Sequence, residues 1–275
     1  MTILTRCSLL SLALLALPAA AQTQSPLETQ RYWFELGAFM PNVNSSVRFD
    51  NKNTGRPGSS VDFEDDLDLA DRRTLPTLLF GTRFGDNWRM EFEYFELKRT
   101  GSRTLSRDIS FGDADFTVGT SINSEFSSKV YRLSGGYSFY KTPTTEIGGV
   151  LGLHITDFII GLEGQASVNG GAVALRSERK TQLAPLPTLG LYGSYAFTPA
   201  WDISGRADYF TVKIDQYKGR LLNLQGAVRY HFNPTWSLAL GYRYDDYKLD
   251  GDGEDWTGEV KYRFSGPQFT LRAGF

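Results

Sequence analysis

Arg89, Glu91 and Glu93 stand at alternate positions, and the same spacing recurs in Arg206 and Asp208, Arg229 and His231, and Arg243 and Asp245. In an extended chain, residues two apart point the same way, so each group sets charges on one face of a strand. Such a face has two uses. It can line a narrow aqueous path, or its charges can pair across a confined space and form a packed polar core. Glu35, Arg83, Arg132, Glu146, His154 and Arg272 join the set by the same alternation, as do Glu259, Lys261 and Arg263 near the end of the chain. In the hairpin that turns at Gly85–Asn87, Arg83 is expected opposite Arg89 and diagonal to Glu91.

The histidines offer little to catalysis. There are two, His154 and His231. His154 is expected inside, beside Arg132, and His231 sits next to a short turn, so the two cannot act together. Neither has a serine and a carboxylate at the spacing a relay needs. The reading is therefore non-enzymatic; the alternative is an enzyme that acts on lipid or peptide through His154. Carboxylates also gather in two loops, one holding Glu64, Asp65, Asp66 and Asp68, the other Asp250, Asp252, Glu254 and Asp255. The second opens like a calcium loop, but its sixth position is Asp255 rather than Gly and its twelfth is Lys261 rather than Glu, so that motif fails. Loop-bound Ca²⁺ or Mg²⁺ is the one cofactor these loops suggest, against a solvated acidic rim.

Elements of a particular kind must carry these residues. Turn signals cut the chain into segments with period-2 alternation, and the connections between them alternate between short and long. Ten strands are predicted near 31–43, 72–84, 87–99, 121–140, 144–164, 182–198, 200–217, 219–232, 234–248 and 257–275. In the ninth, Trp236, Leu238, Leu240, Tyr242 and Tyr244 share one face, and Ser237, Ala239, Gly241, Arg243 and Asp245 share the other. Asp157–Phe158, Phe210 and Ser265–Pro267 interrupt the alternation and are candidate bulges or strand kinks. Aromatic residues make up 14% of the chain, and many fall near the short turns. The result is an all-β chain, a closed antiparallel up-and-down barrel of about ten strands, with apolar side chains outward and charges inward. A water-soluble barrel of the lipocalin or avidin kind would need the opposite.

The last segment runs Gln268-Phe269-Thr270-Leu271-Arg272-Ala273-Gly274-Phe275, alternating to the final aromatic. Here the chain resembles the outer-membrane β-barrel proteins of Gram-negative bacteria, the small OmpA, OmpX and OmpW-like barrels. The resemblance implies that the assembly machinery reads Phe275, that outer-membrane lipids and lipopolysaccharide are neighbours, and that short turns face the periplasm. Outer-membrane deacylases, palmitoyl transferases and omptin-type proteases use a histidine with Ser or Asp near the outer rim, and no His-x-Ser follows His154. Residues 1–21 read as a secretory leader cut after Ala21, with residues 22–275 as one barrel domain. The leader would take Cys7, the one cysteine, with it and leave no thiol. A formal net charge of −2, one unit more negative without Arg6, gives no footprint for nucleic acid. The expected role is structural or surface recognition, or passive passage of small solutes.

Overall fold

The computed structural model describes residues 30–52, 58–111, 114–168, 171–214, 217–252 and 256–275. The expected leader, together with Glu254 and Asp255 of the second acidic loop, lies outside the described residues. Fourteen strands follow one another: β1 (Tyr32–Phe39), β2 (Asn42–Asn51), β3 (Val61–Asp62), β4 (Leu75–Phe84), β5 (Trp88–Thr104), β6 (Ile109–Phe111), β7 (Ala114–Phe116), β8 (Ser121–Lys141), β9 (Thr145–Val168), β10 (Ala174–Thr198), β11 (Trp201–Ile214), β12 (Tyr217–His231), β13 (Trp236–Asp252) and β14 (Trp256–Gly274). Ten of them, β1, β4, β5 and β8 through β14, form an antiparallel ring that closes where β1 pairs with β14.

β2 continues β1. Phe39 faces Gln268 and Asn42 faces Ser265, so one register runs through the Met40–Pro41 interruption. The first wall strand is therefore longer than its predicted end at 43. On β14 the interruption falls beside Gly266, where a side chain would collide with the Met40 carbonyl 2.2 Å from an ideal Cβ. That is the physical content of the Ser265–Pro267 signal: a close crossing without a register shift.

The other two expected bulges do not occur. Pairing runs unbroken through Asp157–Lys129 and through Phe210–Leu221, and the register shifts on β8 and β10 lie near the short turns, between Ser138 and Tyr140 and between Ala196 and Thr198. What changes at Asp157 and Phe210 is the polarity of the two faces. Toward the short turns, outward residues are apolar and inward ones polar: on β8, Tyr131, Leu133 and Tyr137 are exposed while Arg132, Ser134 and Ser138 are buried. Toward the long loops the same strand turns Lys129 and Glu125 outward and buries Val130 and Phe126. The swap recurs between Glu93 and Phe95, between Thr156 and Phe158, and between Asp245 and Tyr247. A wall in contact with hydrocarbon needs apolar side chains outside, and a wall standing in water needs them inside. The strands simply extend from one medium into the other.

The swap corrects one expectation. Glu259, Lys261 and Arg263 do not face the lumen; Lys261 and Arg263 are exposed, and Glu259 lies on the same outer face within 2.7 Å of Lys248 and 2.6 Å of Lys261. They belong to the watery part of β14, where period 2 continues but charge marks the outside.

Candidate functional site: the barrel interior

In the lipid-facing half, the inward side chains form a closed ledger of charge. Seven arginines, 83, 89, 132, 206, 229, 243 and 272, meet six carboxylates, Glu35, Glu91, Glu93, Glu146, Asp208 and Asp245, and a seventh, Asp202, meets His231. Many pairs span the lumen. Arg243 on β13 reaches Glu93 on β5 at 2.9 Å, Arg206 on β11 reaches Glu91 on β5 at 3.0 Å, and Arg229 on β12 reaches Glu35 on β1 at 3.0 Å. Arg83 forks onto Glu146 at 2.7 and 2.5 Å instead of pairing within its hairpin, although it does stand opposite Arg89 as expected. Arg89 takes Glu91, its neighbour two residues along the same strand. Guanidinium groups of Arg83, Arg89 and Arg272 lie 5.8, 5.4 and 5.4 Å from the Trp33 ring, adding cation–π contact to the ion pairs. Alternation in the sequence points to Glu35, Arg83, Arg89, Glu91, Glu93, Arg132, Glu146, His154, Arg206, Asp208, Arg229, Arg243 and Arg272, which all lie on the inner face, and to Glu259, Lys261 and Arg263, which do not. Sequence reading gave no role to Asp202, Trp33 or Tyr192, although Asp202 shares the alternation of Arg206 and Asp208.

Above this layer the barrel is filled with aromatic rings. Phe39, Phe95, Phe126, Phe158, Tyr247, Tyr262 and Phe264 come from six strands and meet at centroid distances from 4.2 to 6.5 Å. The segment 61–69, expected as an external loop, folds into the mouth on top of them and buries Val61, Phe63, Leu67 and Leu69. Asp68 turns this segment with φ +56°, a left-handed conformation that Asp tolerates. Its Glu64 accepts from the buried Arg99, and also from Ser45 at 2.9 Å. The hairpin of β6 and β7 adds Ile109, Phe111 and Phe116, and pairs with β9. A cavity of about 160 Å³ remains near the short turns, below the rings, lined by Arg89, Glu91, Tyr192, Arg206 and Arg272 among others.

His154 sits at the boundary between the layers. It is 1% exposed, faces Arg132 across the β8–β9 ladder, and its Nε2 lies 2.5 Å from the Tyr247 hydroxyl. His231 contacts Asp202 at 2.6 Å beside its short turn.

The acidic loops find basic partners. Asp66 accepts from Arg107, with Nε at 2.9 Å, and the Asp65 carbonyl accepts from Arg103. Burial of Asp66 works against its charge, but the Arg107 guanidinium, the Asp62 backbone N–H and the nearby Arg103 together outweigh this and lower its pKa below the ordinary value. The two loops approach each other at the barrel seam, where Lys52 pairs with Asp252 at 2.6 Å, and Lys248 lies 3.4 Å from Asp250. Among the described residues no group of three or more His, Cys, Asp or Glu side chains could hold a metal ion. Arg72, which follows the first acidic loop, donates to Asn42 at 3.0 Å.

The outer surface of the lower half is a continuous apolar belt with exposed side chains on all ten ring strands, among them Phe34, Phe80, Phe92, Leu133, Leu151, Leu191, Ile203, Leu224, Leu240 and Phe269. Trp88, Tyr137, Phe139, Phe197, Trp201, Phe232 and Trp236 cluster at its short-turn edge, the position of a membrane-interface girdle. No helix of the described residues is long and apolar enough to cross a membrane.

No family model matches the chain, and no curated protein matches it. Among solved structures, the chain is similar to the outer membrane protease OmpT of Escherichia coli, with a TM-score of 0.55 at 12% identity over 90% of this chain and 100% of that one. It also aligns with the toluene transporter TodX of P. putida, with a TM-score of 0.39 at 10% identity over 89% of this chain and 90% of that one. At such identities the likeness is one of fold. The fold is that of the β-barrels of the Gram-negative outer membrane, and the belt supplies the lipid-facing surface this fold requires.

Proposed function

We propose that the chain is an integral outer-membrane barrel that does not conduct, and that its role is structural or one of surface recognition through the cap at its outer mouth. The aromatic layer carries this reading. Rings from six of the ten ring strands touch one another at the level where a water path would have to pass, and Leu186 of β10 and Leu221 of β12 join the same core from the remaining side. The balanced charges below supply no net field to draw ions of either sign. The cap built from residues 58–73, 105–111 and 114–120 is tied together by Arg107, which donates to the Ser60 carbonyl at 2.6 Å as well as to Asp66, and by Ser110, whose backbone N–H donates to the Ser59 hydroxyl at 3.0 Å. A rigid outward surface of this kind is suited to contact with another molecule.

Reconstitution into planar bilayers tests the proposal. Purified protein, shown to be folded by its heat-dependent gel mobility, is expected to give no unitary current steps in 1 M KCl. Stable steps that scale with voltage would return the chain to the pore class. Catalysis through His154 is the weaker reading, because the imidazole is enclosed by Tyr247 and Arg132 with no carboxylate or serine bonded to it among the described residues.

A further inference from the structure

The charges of the interior balance as a whole but not level by level. The cavity near the short turns is lined by six of the seven inward arginines, all but Arg243, and by four of the seven carboxylates. Glu93, Asp208 and Asp245 stand further toward the long loops and do not line it. The four that do are thinly spread. Glu35 serves both Arg229, at 3.0 Å, and Arg272; Glu91 serves both Arg206, at 3.0 Å, and Arg89; Asp202 is taken up by His231. Arg206 and Arg132 draw on Asp208 as well, from the layer above.

The sequence also makes the room. Ser194, Ser204, Ala227 and Gly241 stand opposite one another in a single row across β10, β11, β12 and β13, and all four line the cavity. They fall on the inward side of the alternation that carries Arg206, Arg229 and Arg243. Four small side chains in a row leave a recess in this wall. Arg206 lies two residues beyond Ser204 toward the long loops and Arg229 two residues beyond Ala227 toward the short turns, so the recess has a guanidinium-bearing residue on either side and two hydroxyls of its own. The cavity measures about 160 Å³. One water takes up ~30 Å³, so an ion of several heavy atoms fits.

A guanidinium in a confined space needs a counter-charge, and its flat fork matches the paired oxygens of an oxyanion. We propose that the cavity binds one small free oxyanion of the phosphate class, seated against the row of small side chains and held by Arg229 and Arg272, the two arginines that share Glu35. The aromatic layer closes the far side. The ion therefore enters and leaves at the short turns, and the site binds without conducting.

Equilibrium dialysis of the full chain, refolded in detergent at low ionic strength, against radiolabelled inorganic phosphate tests the proposal. The unaltered chain is expected to bind one phosphate saturably, and sulfate should displace it. Arg272→Gln leaves Glu35 with Arg229 and should weaken binding about tenfold, the loss of one charge-assisted hydrogen bond. Glu35→Gln removes a competing carboxylate and should tighten binding several-fold, a change of opposite sign that damage to the fold would not produce. Ser204→Val, which fills the recess, should weaken binding, and Arg220→Gln on the exposed outer wall should leave it unaltered. Absence of saturable binding by the unaltered chain overturns the proposal whatever the variants do. So does binding that Arg272→Gln and Ser204→Val both leave unchanged, since the phosphate would then sit elsewhere on the chain.

Discussion

The Tyr247 hydroxyl and the His154 Nε2 meet 2.5 Å apart across the interior, joining β13 to β9 where the charged layer ends and the aromatic layer begins. Both side chains are buried, so neither can take water as a substitute partner. Tyr247→Phe should therefore cost about 1–3 kcal/mol, the usual penalty for orphaning a buried polar group. Urea unfolding in lipid vesicles measures it. An unchanged midpoint would mean that the imidazole finds another partner.

Arg243 is 0% exposed and holds Glu93 at 2.9 Å and Asp245 at 2.6 Å. Arg243→Met leaves the buried Asp245 without its ion-pair partner and Glu93 with Arg132 alone, and should destabilise the barrel by about 3–5 kcal/mol. Adding Asp245→Asn should recover most of the loss. Failure of the double variant to recover would show that the guanidinium acts chiefly through its stacking on Phe95, 4.6 Å from the ring centroid.

The cap should respond to acid before the barrel does. Asp66 has a lowered pKa in the folded chain, so its contribution is present above the ordinary carboxylate value of about 3.9 and is lost as pH falls through the lower folded value. Proteolysis within 58–73 is expected to accelerate over that acid range, and Arg107→Gln should reduce the acceleration by removing the largest favourable contribution to the Asp66 charge. The pair is partly exposed, so the stability change should be about 1 kcal/mol or less. Because Arg99 and Arg107 already hold Glu64 and Asp66, and Lys248 and Lys52 hold Asp250 and Asp252, calcium should shift the melting temperature no more than matched ionic strength does. A larger, chelator-reversible shift would restore the cation-loop reading.

Phe275 closes the seam. Its carbonyl accepts from Arg31 at 2.5 Å and Tyr32 at 2.9 Å, its N–H donates to the Tyr32 carbonyl at 2.8 Å, and its ring is 68% exposed at the belt edge. Phe275→Ser keeps the backbone bonds and removes only the ring. Refolding in vesicles should change little while outer-membrane yield in cells falls several-fold, if the ring serves recognition by the assembly machinery. Equal losses in both assays would assign the ring to the fold instead.

Most of the ring and its charged lining was legible in the sequence because period 2 is a property of the extended backbone and survives any surroundings. The long-loop half was not, for a definite reason. Lys261 and Arg263 were placed inside by treating charge as the mark of the lumen, a rule that holds only where lipid covers the outside. Phe158 and Phe210 looked like breaks in phase for the same reason, when the medium had changed and the phase had not. Nor could spacing show that 61–69 turns inward, since Glu64 and Arg99 become partners only through the barrel's curvature. Tyr247 read as one more residue of a strand end until β9 brought His154 opposite it.

The change of medium along each strand gives the two halves different heat capacities. The outer half hides Phe126, Phe158 and their neighbours from water, and apolar burial of that kind weakens on cooling. The inner half is clasped by ion pairs and bounded by lipid, so less of its stability depends on water's response to temperature. Chilling should then loosen this barrel from its outer mouth downward, with amide exchange rising first in β2 and β8 above Val130 while the arginine layer stays protected.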